Sequence, residues 1–183
     1  MPKFYAAVAE EPNETIRDYS LVELLTGARR SNVLSMEWEE ISFERREWFI
    51  PATKNGDSQI VTLHEEAIAI LQRRKPESNS PFVFPGEGKT GHLVEPKKGW
   101  KRILNSSGIK NLKMHDLRRT LGSWQAKTGA SMVIIGKSLN HKSVQSTAIY
   151  ARLDLDPVRE SVDIAADAIL TAAGLKQVEK QLE

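Results

Sequence analysis

The stretch "REWFIPATKNGDSQIVTL" (46–63) constrains the fold more than any other part of this chain. Two runs of strand-like composition, 46–51 and 58–63, flank Asn55-Gly56, a dipeptide that favours the positive backbone angles of a tight hairpin turn. They read as neighbouring antiparallel strands, with Lys54 at the lip of the turn. A third run, 37–43, precedes them across a tight connection at Glu44 and Arg45. Most of the remaining chain carries helical spacing. The expected class is mainly α with a small three-stranded antiparallel sheet inserted early (α+β).

A short helix over 3–10 ends at the turn around Pro12. Asn13 is positioned to cap a second helix over 14–26, with Ile16, Tyr19, Val22 and Leu25 on one face. Gly27 breaks it, and Val33, Leu34 and Met36 resume helical spacing. Further helices are expected over 65–75 and from Pro96, the latter carrying Trp100, Ile103 and Leu104. Another starts near His115 and buries Leu117, Leu121 and Trp124. The next, over 132–139, keeps Met132, Ile135 and Leu139 in register. A short helix runs through Tyr150, and an Ala-rich helix over 157–173 closes at Gly174, with an apolar stripe free to pack in cis or on a neighbouring protomer. Tyr5 and Tyr19 read as core, as do Trp38, Trp48 and Trp100, with base stacking as the alternative for the tryptophans. His64 and His92 read as surface or turn residues.

A chain of 183 residues suits one domain with an appendage. With no cysteine, disulfides and thiolate metal sites are excluded. No run approaches the roughly 18 apolar residues of a membrane span, and no secretory pattern opens the chain, so an intracellular protein is expected. The net charge of +2 hides an asymmetry. Eight basic residues against one acid lie between Lys97 and Arg119, whereas the segment from Asp154 onward has seven acids and three bases. Lys97, Lys98, Lys101, Arg102, Lys113 and Arg119 are the candidate contacts for a polyanion, with a merely solvated basic face as the alternative.

Several polar residues remain without an obvious packing role. Arg29 follows the helix-breaking Thr26-Gly27. "HDLRR" sets His115 and Arg118 three apart on one helical face, and "LNHKSVQSTAIYARL" sets His141 nine positions before Tyr150. Each is ordinary alone: a turn lysine, a surface His-x-x-Arg pair, a packed tyrosine. Their joint occurrence, in this order, resembles the tyrosine recombinases, in particular the catalytic domain of phage and prophage integrases. The resemblance covers nearly the whole chain. By position it implies Arg29, Lys54, His115, Arg118 and His141 as the catalytic set and Tyr150 as the nucleophile. Asn32 stands where many members carry a carboxylate, and Asn140 where many have glycine.

The implied activity is site-specific DNA recombination, the integration and excision of a phage or prophage genome. Tyr150 would attack a phosphodiester to leave a 3′-phosphotyrosine link and a free 5′-hydroxyl. Arg29 and Arg118 would meet the charge on the non-bridging oxygens, Lys54 would protonate the leaving oxygen, and His115 and His141 would assist. No cofactor and no metal are implied. The expected partner is double-stranded DNA bearing attachment sites, engaged as a tetramer although the isolated domain would be monomeric, with accessory DNA-bending or directionality proteins and no membrane. A cytoplasmic, DNA-associated bacterial protein follows from the same resemblance. A type IB topoisomerase-like nicking enzyme and a catalytically silent DNA-binding relative are the alternatives; a metal-dependent nuclease is disfavoured, because no clustered carboxylates accompany the histidines. A catalytic domain over 1–174 and a tail over 175–183 are expected, lacking the N-terminal core-binding domain that such integrases carry, so that this piece alone would bind DNA weakly and with strong salt sensitivity.

Overall fold

A computed structural model describes residues 1–52, 56–75, 79–152 and 156–172. The chain forms two compact units, one of Met1–Gly122 with Lys137–Asn140, the other of Ser123–Gly136 with the described residues from His141 onward.

In the first unit, α1 (Pro2–Ala9) leads to α2 (Glu14–Thr26). The Asn13 side chain caps α2 by accepting from the Ile16 amide at 3.0 Å. Gly27 ends it in the left-handed region, with φ 57°. α2 is buried on two sides. Tyr19 and Val22 join a core with Val33, Met36, Trp48, Val61 and Phe84. Ile16 and Leu24 join a second with Phe4, Val8, Trp100, Ile103 and Leu117. The single apolar face expected of this helix is therefore split between two cores.

After α3 (Arg30–Leu34) comes the sheet, β1 (Ile41–Ser42), β2 (Glu47–Ile50) and β3 (Gln59–Thr62), antiparallel in the order β1-β2-β3. The first strand is shorter than the expected 37–43 because Trp38–Glu40 winds into a 3-10 turn. The Glu40 carboxylate holds that turn, accepting from the Glu37 amide at 3.2 Å and the Trp48 indole at 2.9 Å. Pairing of Trp48 with Val61 and of Ile50 with Gln59 sends these four side chains inward. Their neighbours Phe49 and Ile60 face outward as a cross-strand pair.

α4 (Glu65–Arg74) is tied to α2 by a buried charge cluster. Asp18, fully buried, accepts from Arg73 Nη2 at 2.7 Å and Arg74 Nη1 at 3.0 Å. His64 caps this helix, its Nδ1 accepting from the Glu66 amide, and His92 packs edge-on against Phe82. α5 (Lys97–Ser107) crosses α2 so closely that a Cβ on Gly99 would lie 2.5 Å from Ile16 Cγ2. α6 (His115–Lys127) begins in this unit and contributes Leu117 to the second core.

The second unit contains the end of α6, most of α7 (Met132–Ser138), α8 (Val144–Ala148), a 3-10 turn (Ile149–Arg152) and α9 (Asp156–Ala172). Two residues expected in the core are exposed. Tyr5 is 50% exposed because α1 buries the face of Phe4, Ala7 and Val8 instead. Trp124 is 48% exposed, since the buried stripe of α6 stops at Gly122, and Lys127 Nζ sits 5.3 Å over its ring. The apolar stripe of α9 is likewise exposed at Val162, Ile164 and Ile169. Among the described residues no helix is long and apolar enough to cross a membrane.

Candidate active site

Two arginines of the first unit converge on one backbone segment. Arg29, two residues after Gly27, stands at the N-terminal boundary of α3 with extended backbone angles, φ −65° and ψ 139°. Its Nη2 donates to the Asn140 carbonyl at 3.1 Å. Its Nη1 is buried and has no hydrogen-bond partner among the described residues. Arg118, 4% exposed, donates through Nη1 to the Gly27 carbonyl at 2.6 Å and through Nη2 to the Leu139 carbonyl. Gly27 is required twice here. Its φ is left-handed, and a Cβ would lie 2.7 Å from Leu121 Cδ2.

Asn140 has φ 48°. Asparagine is among the few non-glycine residues that visit this region readily, so the exchange of glycine for asparagine leaves the turn intact. Ser138, next in the same segment, receives a third side-chain donor, Gln59 Nε2, at 3.0 Å. Asn32 is nearly buried on α3, and its Nδ2 has no partner among the described residues.

His115 opens α6 three residues before Arg118 and is exposed overall. Partial desolvation of its ring lowers the imidazole pKa below the usual 6.5; the charges of Arg119, Arg118 and Arg29 push the same way, against Asp116. The neutral ring is thus favoured, the form able to accept a proton. One turn before Gly27, burial pushes the Glu23 carboxyl up to about 7, opposed by the neighbouring Tyr19 hydroxyl and Arg30.

His141 and Tyr150 meet within the second unit. Their rings lie parallel, 4° apart in tilt, with centroids separated by 6.3 Å. His141 Nδ1 is 3.0 Å from the hydroxyl of Thr147, which is itself buried. The His141 amide donates to the Gly136 carbonyl at 2.9 Å, closing α7 onto the loop before α8. Tyr150 is 4% exposed on the 3-10 turn, although the polar residues around it in sequence suggest a surface position. Lys54 lies outside the described residues.

The six candidate polyanion contacts divide. Lys98, Lys101 and Lys113 are exposed lysines. Lys97 pairs with Glu95 at 2.7 Å and Arg119 with Asp116 at 3.1 Å. Arg102 is held by the buried Glu11 carboxylate, its Nε donating at 3.1 Å, which makes it a strut between α5 and the end of α1. Sequence patterning did not single out Gln59 or Thr147, which contact the segment before His141 and His141 itself. The signal for Gln59 is a polar residue at an inward-facing strand position.

The profile of the Phage integrase family matches residues 1–156. The chain belongs to the phage integrase family. Among curated relatives of this integrase-family chain, the integrase of Salmonella phage P22 is 25% identical over 157 residues, covering 79% of this chain and 40% of its own. Prophage integrase IntF of Escherichia coli K12 is 26% identical over 180 residues, covering 96% and 39%. The chain thus spans about two fifths of the length of these relatives. The catalytic domain of bacteriophage HP1 integrase has the same fold, with a TM-score of 0.66 at 18% identity, covering 88% of each chain. The XerH site-specific recombinase, solved bound to its difH substrate, aligns with a TM-score of 0.70 at 20% identity over 89% of this chain and 51% of its own.

Proposed function

We propose that this chain is the strand-transfer domain of a site-specific DNA recombinase that acts in phage or prophage integration and excision. The observation that carries the reading is the pair of guanidiniums, Arg29 and Arg118, anchored on consecutive carbonyls, with one buried Arg29 nitrogen left without an acceptor among the described residues. A buried donor of this kind suits an anionic oxygen supplied by a ligand.

In the proposed reaction Tyr150 Oη attacks the phosphorus of a DNA phosphodiester. The new bond is Oη–P and the broken one is P–O5′, so the 3′-phosphate becomes linked to Tyr150. The phenolic proton leaves toward a neutral imidazole, His115, and O5′ takes a proton from Lys54. Arg29 and Arg118 offset the charge that grows on the non-bridging oxygens, as preorganised donors do in a site shielded from water. His141 adds a donor and orients the phenol through their stacked rings. Because the phosphotyrosine retains the energy of the broken bond, a second 5′-hydroxyl can reverse the step on a different strand.

Double-stranded DNA is the proposed partner, in keeping with the DNA-bound XerH relative. Lys98, Lys101, Lys113 and Arg119 are the proposed backbone contacts, giving binding that weakens steeply with salt. A cleft of about 480 Å³ beside His115, rimmed by Arg30 and Lys113 over Trp100 and Leu104, adds to this basic surface. The exposed apolar residues of α9 support docking on a neighbouring protomer, hence assembly of a tetramer on DNA.

The test is covalent trapping. A pool of nicked duplexes of randomised sequence should yield detergent-resistant protein–DNA adducts with the wild-type chain and none with Tyr150→Phe. Lys54→Ala should lose adduct formation on ordinary DNA and regain it when the scissile O5′ is replaced by sulfur, because a thiolate departs without a proton. Adducts that persist in Tyr150→Phe would overturn the nucleophile assignment.

A further inference from the structure

Three consecutive carbonyls, those of Ser138, Leu139 and Asn140, each accept from a side chain distant in sequence: Gln59 Nε2 at 3.0 Å, Arg118 Nη2, and Arg29 Nη2 at 3.1 Å. Two of these donors are the guanidiniums of the candidate site. The third has no place in the proposed chemistry. Gln59 is the first residue of β3, 7% exposed, at a position paired with Ile50 where the strand faces inward. Its Oε1 is buried without a partner among the described residues. Packing alone would be better met there by an apolar side chain of similar volume, which would leave no orphaned acceptor.

We propose that Gln59 is a positioning residue for strand transfer, a role that rests on the reading above: its amide fixes the Ser138 carbonyl and, through the next two peptides, the carbonyls against which Arg118 and Arg29 are aimed. A guanidinium is planar and its donors form a rigid fork, so one anchored nitrogen sets the direction of the others. Among the described residues Arg29 has a single protein acceptor, the Asn140 carbonyl. A shift of the 138–140 segment therefore swings the unpartnered Nη1 away from the place where an anionic oxygen would sit. The left-handed φ of Asn140 makes the segment a sharp bend, with little chain available to absorb such a shift.

The test uses Gln59→Leu, which keeps volume and removes the donor, with Gln59→Glu as a second variant that presents an acceptor to the Ser138 carbonyl. In the DNA-free protein the Nε–H resonances of Arg29 and Arg118, assigned with Arg29→Lys and Arg118→Lys, should shift and broaden in either Gln59 variant. With nicked duplexes, single-turnover adduct formation should slow about tenfold or more, the scale of a small misplacement of a reacting group. Duplex affinity should stay within about twofold, and in an Arg29→Ala background the added loss from Gln59→Leu should shrink to about twofold. Unchanged arginine resonances, or an equal loss in both backgrounds, would overturn the role. A wild-type chain that forms no adduct, with arginine resonances that still respond to Gln59, would instead remove the strand-transfer reading and leave the structural coupling standing.

Discussion

Arg118 donates through Nη1 to the carbonyl of Gly27 at 2.6 Å, joining the first turns of α6 to the residue that ends α2. Gly27 holds this carbonyl in place only because it is left-handed and lacks a Cβ, which would meet Leu121 at 2.7 Å. Gly27→Ala should lower stability by about 2–4 kcal/mol, the left-handed penalty and the overpacking combined. Urea unfolding followed by circular dichroism measures it. A change within about 0.5 kcal/mol, typical of an inert surface site, would contradict the close packing of Gly27 against Leu121.

Arg118→Lys keeps the charge but cannot serve two carbonyls and a phosphate oxygen from one planar fork. Adduct formation should fall about 10²–10³-fold, the scale of losing an oxyanion donor, while duplex affinity changes far less. Single-turnover trapping against a binding isotherm separates the two effects. A near-wild-type rate with lysine would mean that the geometry of the fork is immaterial.

Asp18 carries a fully buried carboxylate that answers two guanidiniums of α4. Removing one partner of a buried ion cluster leaves the others uncompensated, so Asp18→Ala should cost about 3–5 kcal/mol. Replacing Arg74 with Met in the same chain should recover part of that loss, since Arg74 is itself mostly buried. Purely additive losses in the double variant would argue that the cluster is not a coupled unit.

Glu23 makes stability depend on pH in an unusual direction for a carboxylate. Its folded pKa, raised to about 7 by burial, exceeds the ordinary 4.5, so between these values the folded chain keeps a proton that the unfolded chain releases. Stability from this group is therefore complete below about pH 4.5, falls as pH rises, and is lost above about 7. Glu23→Gln should flatten this slope, with a wild-type-to-variant difference approaching about 3 kcal/mol across the window. Denaturant midpoints measured from pH 5 to 8 decide it; parallel profiles for the two proteins would refute the assignment.

His115 should titrate below 6.5 in the folded chain, because desolvation and the surrounding cations disfavour its charged form. Arg119→Ala removes the largest of the opposing charges and should raise the midpoint toward the ordinary value. Proton–nitrogen spectra of the ring read the titration directly. A wild-type midpoint above 6.5, or one unmoved by the substitution, would show that another group governs this imidazole.

Local signals served best where one residue decides a local event. Asn13 and Gly27 bound α2 at the residues expected, because an N-cap oxygen and a left-handed glycine act through bonds only a few residues away. Asn55-Gly56 likewise announced the antiparallel pairing of β2 with β3. Burial was read less well. Tyr5 and Trp124 lie on faces that periodicity alone cannot distinguish from the buried one, and each is exposed because the partner element covers its neighbours instead. Glu37–Glu40 has the composition of a strand end, yet one carboxylate bonded to the Trp48 indole winds it into a 3-10 turn.

The order and types of the polar residues, Arg29, His115, Arg118, His141 and Tyr150, were available from the chain itself, since covalent order and chemical identity need no folding to be read. What tertiary structure decided is which backbone atoms those side chains answer to. Gln59, Arg118 and Arg29 take three successive carbonyls more than twenty to a hundred residues away. Such pairings depend on where separately folded helices and a strand come to rest, and hydrogen bonds reach only about 3 Å. No pattern along the chain encodes a distance that short between segments that far apart.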